Sequence, residues 1–204
     1  MRKKEIREYA FEIRAEQDEK SGILTGRPIV YDAMTDLGWF DEVIEKDALI
    51  GTDLRDVRFL VNHNTSMIPL ARSRNNNANS TMRLLVDDEG LSIRVALDIE
   101  NNSEARSLYS AVERGDISGM SFMFWVDDEE WQDLESEHPT RRIKKIASVV
   151  EVSAVTFPAY EATSISARDK EALESAKAAL ESAKRSLESD LELERAKAQA
   201  LLNL

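Results

Sequence analysis

The chain has 204 residues, of which 42% are hydrophobic and 6% aromatic, and it contains no cysteine. This length suits one ordinary domain with an appendage, and the missing thiols exclude disulfide frameworks, thiol nucleophiles and cysteine-based zinc sites. With 27 Lys and Arg against 39 Asp and Glu, the formal net charge is -12, so a bulk basic surface for nucleic-acid phosphates is not expected. No apolar stretch resembles a signal sequence or approaches the roughly 20 residues of a membrane span. We therefore expect a soluble intracellular protein.

The sequence changes character near Arg168. All seven Gly and all four Pro precede it, and residues 169–204 contain no aromatic or β-branched residue. Leu173, Leu180 and Leu187 recur every seven residues within strong helix formers. We therefore predict a body over residues 1–167 and a helical tail over residues 168–204. The narrow apolar seam of the tail leaves three interpretations open: a solvated helix, a coiled coil, or a helix that docks in an assembly.

Short apolar or alternating segments dominate the body and predict strands. In chain order these segments are residues 9–15, 57–61, 82–97, 120–126, 142–146 and 149–157. Residues 82–97 predict a hairpin whose turn ends at Gly90, because glycine tolerates positive φ. Helices are predicted over residues 40–50 and 103–114, the second with Ser103 as its cap and Gly115 as its stop. This order favours an antiparallel barrel or an α+β domain over a doubly wound parallel sheet.

Only two histidines are available for acid–base chemistry. His138 lies in an acidic turn, where we expect it to be solvated, and His63 directly follows an apolar run. Three interpretations of His63 are open: a metal ligand, a hydrogen-bonded structural residue, or a general base for a hydroxyl nucleophile. No metal-binding spacing accompanies either histidine. We therefore predict neither a metal nor a cofactor.

Two polar residues interrupt apolar strand segments. Ser121 either bonds a neighbouring strand or acts as a nucleophile beside an imidazole. Glu151 shares a strand face with Ser153, and a carboxylate on a buried face is costly unless it is paired. Its partner is then an imidazolium or a basic residue of the adjacent strand, Arg142 or Lys144.

Together these segments resemble the prohead proteases of tailed bacteriophages, the serine peptidases that mature the capsid. The resemblance spans about Ile23 to Tyr160 and rests on three stretches in fixed order: Leu60-Val-Asn-His63-Asn, Gly119-Met-Ser121-Phe-Met-Phe and Glu151-Val-Ser-Ala-Val-Thr-Phe-Pro-Ala159. Met123 departs from the family pattern, which commonly has Gly there. The resemblance implies an α+β, mainly β fold, with an antiparallel barrel like that of herpesvirus assembly proteases, a few flanking helices and the long C-terminal helix. It also implies Ser121 as nucleophile, His63 as base and Glu151 as the acid that orients the base.

The resemblance further implies a serine endopeptidase that cleaves the capsid precursor or scaffold during prohead maturation and that also cleaves itself. The partners implied are the major capsid protein precursor, scaffold segments and further copies of the chain, within the assembling prohead in the host cytoplasm. No cofactor, membrane or specific nucleic-acid partner is expected. The helical tail keeps a non-catalytic scaffold or assembly factor open as the alternative. The protease interpretation requires His63, Ser121 and Glu151 to converge, whereas a wide separation favours the scaffold.

Overall fold

The computed structural model describes residues 4–9, 13–17, 22–156 and 163–202, which form eleven strands and two helices. The strands are β1 (Lys4–Tyr9), β2 (Ile13–Gln17), β3 (Gly22–Val30), β4 (Met34–Asp36), β5 (Asp41–Ile44), β6 (Asp56–Val61), β7 (Ala71–Arg74), β8 (Met82–Asp87), β9 (Gly90–Leu97), β10 (Gly119–Gln132) and β11 (Thr140–Val155). The helices are α1 (Ser103–Glu113) and α2 (Thr163–Leu202). The predicted mainly β class and long C-terminal helix are confirmed.

The strands form two sheets. The larger sheet has the order β1-β10-β11-β5-β4, with β6 pairing to β11 and to β7, and the smaller has the order β2-β3-β9-β8. β10 and β11 form a long antiparallel pair, whereas β5 and β6 run parallel to opposite ends of β11. The larger sheet is thus mixed, because β11 pairs antiparallel with β10 on one edge and parallel with β5 and β6 on the other. Within the described ranges, the two sheets stay open and do not form the predicted closed antiparallel barrel.

One apolar core lies between the two sheets. Buried side chains from both sheets and from α1 contribute to it, including Leu24, Val95, Leu108, Phe122 and Val152. Alternate residues of β10 enter this core, because successive side chains of a strand point to opposite faces. The register of β11 with β10 shifts at several places, and the core residues of β11 are spaced less regularly: Ile143, Ile146, Val149, Val152 and Ala154. The other face of these two strands carries Ser121, Glu151 and Ser153 beside the buried Met123 and Val155.

The predicted hairpin over residues 82–97 is confirmed as β8 and β9. Its turn ends at Gly90, whose φ is +138°. A Cβ at this position would lie 2.0 Å from the carbonyl oxygen of Ile29 on the neighbouring β3. Only glycine therefore allows β3 to approach the start of β9 this closely.

α1 is confirmed, with a different cap from the predicted one. The side chain of Asn102, not Ser103, accepts hydrogen bonds from the backbone N–H groups of Glu104 and Ala105. Asn102 has the extended backbone that an N-cap residue requires, and Ser103 is already helical. Gly115 lies just beyond the helix with a φ of +79°, a left-handed conformation that ends helices. This agrees with its predicted role as the helix stop.

Two other sequence predictions differ from the structure. Residues 40–50 are not a helix, because Asp41–Ile44 pairs with the start of β11 and the turns beyond it include Asp47 at positive φ. The two strands predicted over 142–146 and 149–157 are one strand, β11, with register shifts where it faces β10. Residue 157 and residues 10–12 of the predicted first strand lie outside the described residues.

The first part of α2 packs against the body. Leu173 is buried with Leu37 and Phe40, and the Lys170 ammonium lies 5.0 Å from the ring centre of Trp39. Farther along α2, Leu187 is exposed. In the described part of the chain, no helix is long and apolar enough to cross a membrane. The division into residues 1–167 and 168–204 stays a prediction.

Candidate active site

Strand pairing brings Ser121 and Glu151 onto one face of the larger sheet. Ser121 on β10 lies opposite Ser153 on β11, and Met123 lies opposite Glu151. Residues that face each other across a ladder project to the same side, so both serines and the carboxylate share a face. β6 runs parallel to this part of β11. The turn that follows β6 therefore carries His63 to the same place.

The His63 imidazole lies between the hydroxyl and the carboxylate. Its Nε2 is 2.5 Å from Ser121 Oγ, and its Nδ1 forms a short hydrogen bond with Glu151 Oε1. Along the sequence, Ser121 lies 58 residues and Glu151 lies 88 residues from His63. The structure joins their three side chains in one hydrogen-bonded chain. All three predicted site residues converge.

Glu151 pairs with the histidine and not with the basic neighbours considered from sequence. Its exposed fraction is 1%, and its second oxygen accepts a hydrogen bond of 2.6 Å from Ser153. Arg142 instead bonds Glu45 at 2.6 Å, and Lys144 pairs with Glu130. Because burial penalises an unpaired carboxylate, the contacts to His63 and Ser153 are what make Glu151 tolerable in this strand.

The turn that presents His63 has an unusual backbone. Asn62 and His63 have φ values of +49° and +54°, in the left-handed region that non-glycine residues rarely adopt. The turn is fastened to β11 by the Asn62 N–H bond to the Ala154 carbonyl and by the bonds of the Asn62 side chain to Thr156. These contacts offset a backbone cost of about 1–3 kcal/mol for each such residue.

Ser121 has a second partner that the sequence did not indicate. Its Oγ lies 2.7 Å from the carbonyl oxygen of Arg7 on β1, and the residue has an exposed fraction of 0%. A hydroxyl has one proton, which either the Arg7 carbonyl or His63 Nε2 can accept. Nucleophilic attack requires the proton to go to the imidazole and the oxygen to meet the substrate. The first requirement is met when the O–H bond turns from the Arg7 carbonyl toward Nε2, which Oγ already reaches.

His138 belongs to a different place in the fold. Its Nε2 lies 3.2 Å from Asp41 and 3.6 Å from Asp36, so it contacts two carboxylates and is partly exposed. Ligand atoms of these three residues lie within 4.8 Å of one another. The cluster is largely open to solvent and does not contact the His63 site.

An apolar cavity of about 460 Å³ lies near the end of β6. Its lining includes Val61, two residues before His63, and Ile117, four residues before Ser121. Met67, Leu70, Leu108 and Ala111 complete its apolar wall. A lining of this chemistry suits an apolar side chain.

A hydroxyl, an imidazole and a carboxylate in contact are the arrangement of serine hydrolases that form acyl-enzymes. Similarity to known protein families agrees with this class. A family model described as caudovirus prohead serine protease matches residues 9–178. The chain therefore belongs to the caudovirus prohead serine protease family.

Two known proteins are similar to this chain. The prohead protease of Enterobacteria phage HK97 is 31% identical over 160 residues, which cover 76% of this chain and 64% of that relative. The chain thus spans less than two thirds of the length of that protein. The capsid assembly protease gp21 of bacteriophage T4 has a TM-score of 0.38 and 12% identity, covering 74% of this chain and 98% of that one.

Proposed function

We propose that this chain is a serine endopeptidase of phage prohead maturation, with Ser121, His63 and Glu151 as its catalytic residues. The observation that carries the proposal is the position of the His63 imidazole between the Ser121 hydroxyl and the Glu151 carboxylate. Membership of a serine protease family supports the same chemistry. The relation to herpesvirus assembly proteases that the family resemblance implies is part of this proposal.

The mechanism follows from the three side chains. As Ser121 Oγ attacks the scissile carbonyl carbon, His63 Nε2 takes the hydroxyl proton and later gives it to the departing amine. Glu151 holds the Nδ1–H tautomer and stabilises the imidazolium. The resulting acyl-enzyme is hydrolysed by a water that His63 activates in turn.

The substrates proposed are the capsid protein precursor, scaffold segments and the chain itself. The family description and the name of the HK97 relative both point to a role in the prohead. Action there implies the host cytoplasm as location and assembly with further copies of the chain. A scaffold without activity is the weaker candidate, because assembly alone does not require a hydroxyl, an imidazole and a buried carboxylate in contact.

Intact-mass measurement tests the proposal directly. The wild-type chain, Ser121→Ala and the control Ser118→Ala are each co-expressed with the major capsid precursor of the same genome. Ser118 is an exposed serine three residues before Ser121, so its variant loses a hydroxyl outside the site. We expect wild type and Ser118→Ala to shorten the precursor or themselves, and Ser121→Ala to leave every chain at full length. Full-length chains in all three samples, with assembly intact, would favour the scaffold.

Replacing Glu151 by Gln is expected to lower kcat by about 10³- to 10⁴-fold, a smaller loss than that of Ser121→Ala. The amide has the size of the carboxylate but no charge to stabilise the imidazolium, and its NH₂ group favours the wrong imidazole tautomer. The rate is measured on a peptide that spans the cut located by mass. Wild-type activity in Glu151→Gln would contradict the role of Glu151.

A further inference from the structure

Ser153 has a buried hydroxyl that contacts both the acid and the base of the site. Its exposed fraction is 0%. The Oγ donates to Glu151 Oε2 at 2.6 Å and accepts from the backbone N–H of His63 at 3.1 Å. The direction of both bonds is unambiguous, because a backbone N–H can only donate and the hydroxyl has one proton to give.

We infer that Ser153 is a positioning residue that sets the carboxylate plane of Glu151 and the backbone of His63 together. This inference rests on the proposed protease function. The bonds form a closed ring from Ser153 Oγ through the Glu151 carboxylate and the His63 imidazole to the His63 N–H and back to Ser153 Oγ. With Oε2 bound by the hydroxyl, Oε1 is turned toward Nδ1.

Burial makes this hydroxyl hard to replace. Glu151 is 1% exposed, so a carboxylate that loses the Ser153 bond gains little solvation from water. The N–H of His63 donates to the Ser153 hydroxyl from a left-handed turn that lies beyond β6. Loss of the hydroxyl therefore frees the carboxylate to rotate and the turn to relax. A displacement of about 1 Å in a catalytic group can cost about 100-fold in rate.

The primary test is Ser153→Ala, measured on the peptide that spans the cut. We expect kcat to fall about tenfold to 100-fold while KM changes by less than about twofold. The matched control is Ser73→Ala. Ser73 is equally buried on β7, and its hydroxyl donates to the Asn76 side chain and accepts from the Asn76 N–H. We expect Ser73→Ala to keep the wild-type kcat.

A double-mutant cycle separates positioning through Glu151 from a general packing defect. In a Glu151→Gln background, Ser153→Ala should reduce kcat by less than about threefold, because the carboxylate that Ser153 orients is already gone. Full additivity of the two losses would overturn the inference.

A readout that needs no activity distinguishes failure of this inference from failure of the proposed function. In a Ser121→Ala background, the proton of the hydrogen bond between His63 Nδ1 and Glu151 is followed by NMR. We expect Ser153→Ala to shift or broaden this resonance and Ser73→Ala to leave it unchanged, with urea unfolding showing that both variants are folded. An unchanged resonance in folded Ser153→Ala refutes positioning by Ser153. If the wild-type chain cuts nothing, but Ser153→Ala shifts the resonance in the Ser121→Ala background, only the protease proposal is refuted.

Discussion

We expect His63→Ala to lower kcat/KM for peptide cleavage by about 10⁴-fold or more. The imidazole is the group that contacts both the Ser121 hydroxyl and the Glu151 carboxylate. Without it the hydroxyl keeps its proton during attack, and the leaving amine has no acid to protonate it. The measurement is steady-state cleavage of the peptide that spans the cut site.

The second histidine of the chain provides the control. His138→Ala removes an imidazole that pairs with Asp41 and Asp36 and does not contact the site, so we expect activity within about twofold of wild type. The double variant His63→Ala, Ser121→Ala should be no slower than either single variant, because residues of one catalytic unit are not additive. The role of His63 is wrong if His138→Ala is inactive and His63→Ala is active.

Glu42→Gln is expected to reduce the free energy of unfolding by about 3–5 kcal/mol. Glu42 is fully buried, and its carboxylate accepts two hydrogen bonds from Arg7, at 2.5 and 2.8 Å, and one of 3.1 Å from Arg141. Both guanidinium groups are buried as well. Removing the shared charge leaves two buried cations close together with less compensation.

The remaining carboxylates show why this network tolerates burial. Glu5 pairs with both arginines, and Glu129 pairs with Arg141. Burial by itself lowers the pKa of Arg141, but the negative charges of Glu42, Glu5 and Glu129 raise it above its usual value. The guanidinium therefore stays charged, within a cluster of two arginines and three carboxylates.

Urea unfolding of Glu42→Gln and Glu45→Gln measures the effect. Glu45 pairs with Arg142 in a half-exposed position of the same region, where an ion pair contributes about 0–1 kcal/mol. A loss below about 1 kcal/mol in Glu42→Gln, or equal losses in the two variants, would contradict the role given to burial. The network also connects to the site, since Arg7 provides the carbonyl group beside Ser121.

Several features of the site could be predicted because they depend on local patterns. The two-residue period of strands placed Ser121 in an apolar run, and it put Glu151 and Ser153 on a shared face. The cost of a buried carboxylate required a partner for Glu151. The glycines at 90 and 115 marked a turn and a helix end by their freedom at positive φ. Each of these conclusions uses residues close together in the chain.

The sequence by itself determined the strand faces, the helix α1, the long tail helix and the three residue types of the site. Only the tertiary structure decided that β5 and β6 share one edge of β11, and hence that residues 41–44 form a strand. Only the tertiary structure placed the Arg7 carbonyl beside Ser121. It also placed the Arg7 guanidinium on Glu42, which lies 35 residues from Arg7 in the sequence. The physical reason is that periodicity reports which side of a strand is buried, whereas pairing and ion-pair partners depend on contacts between distant segments.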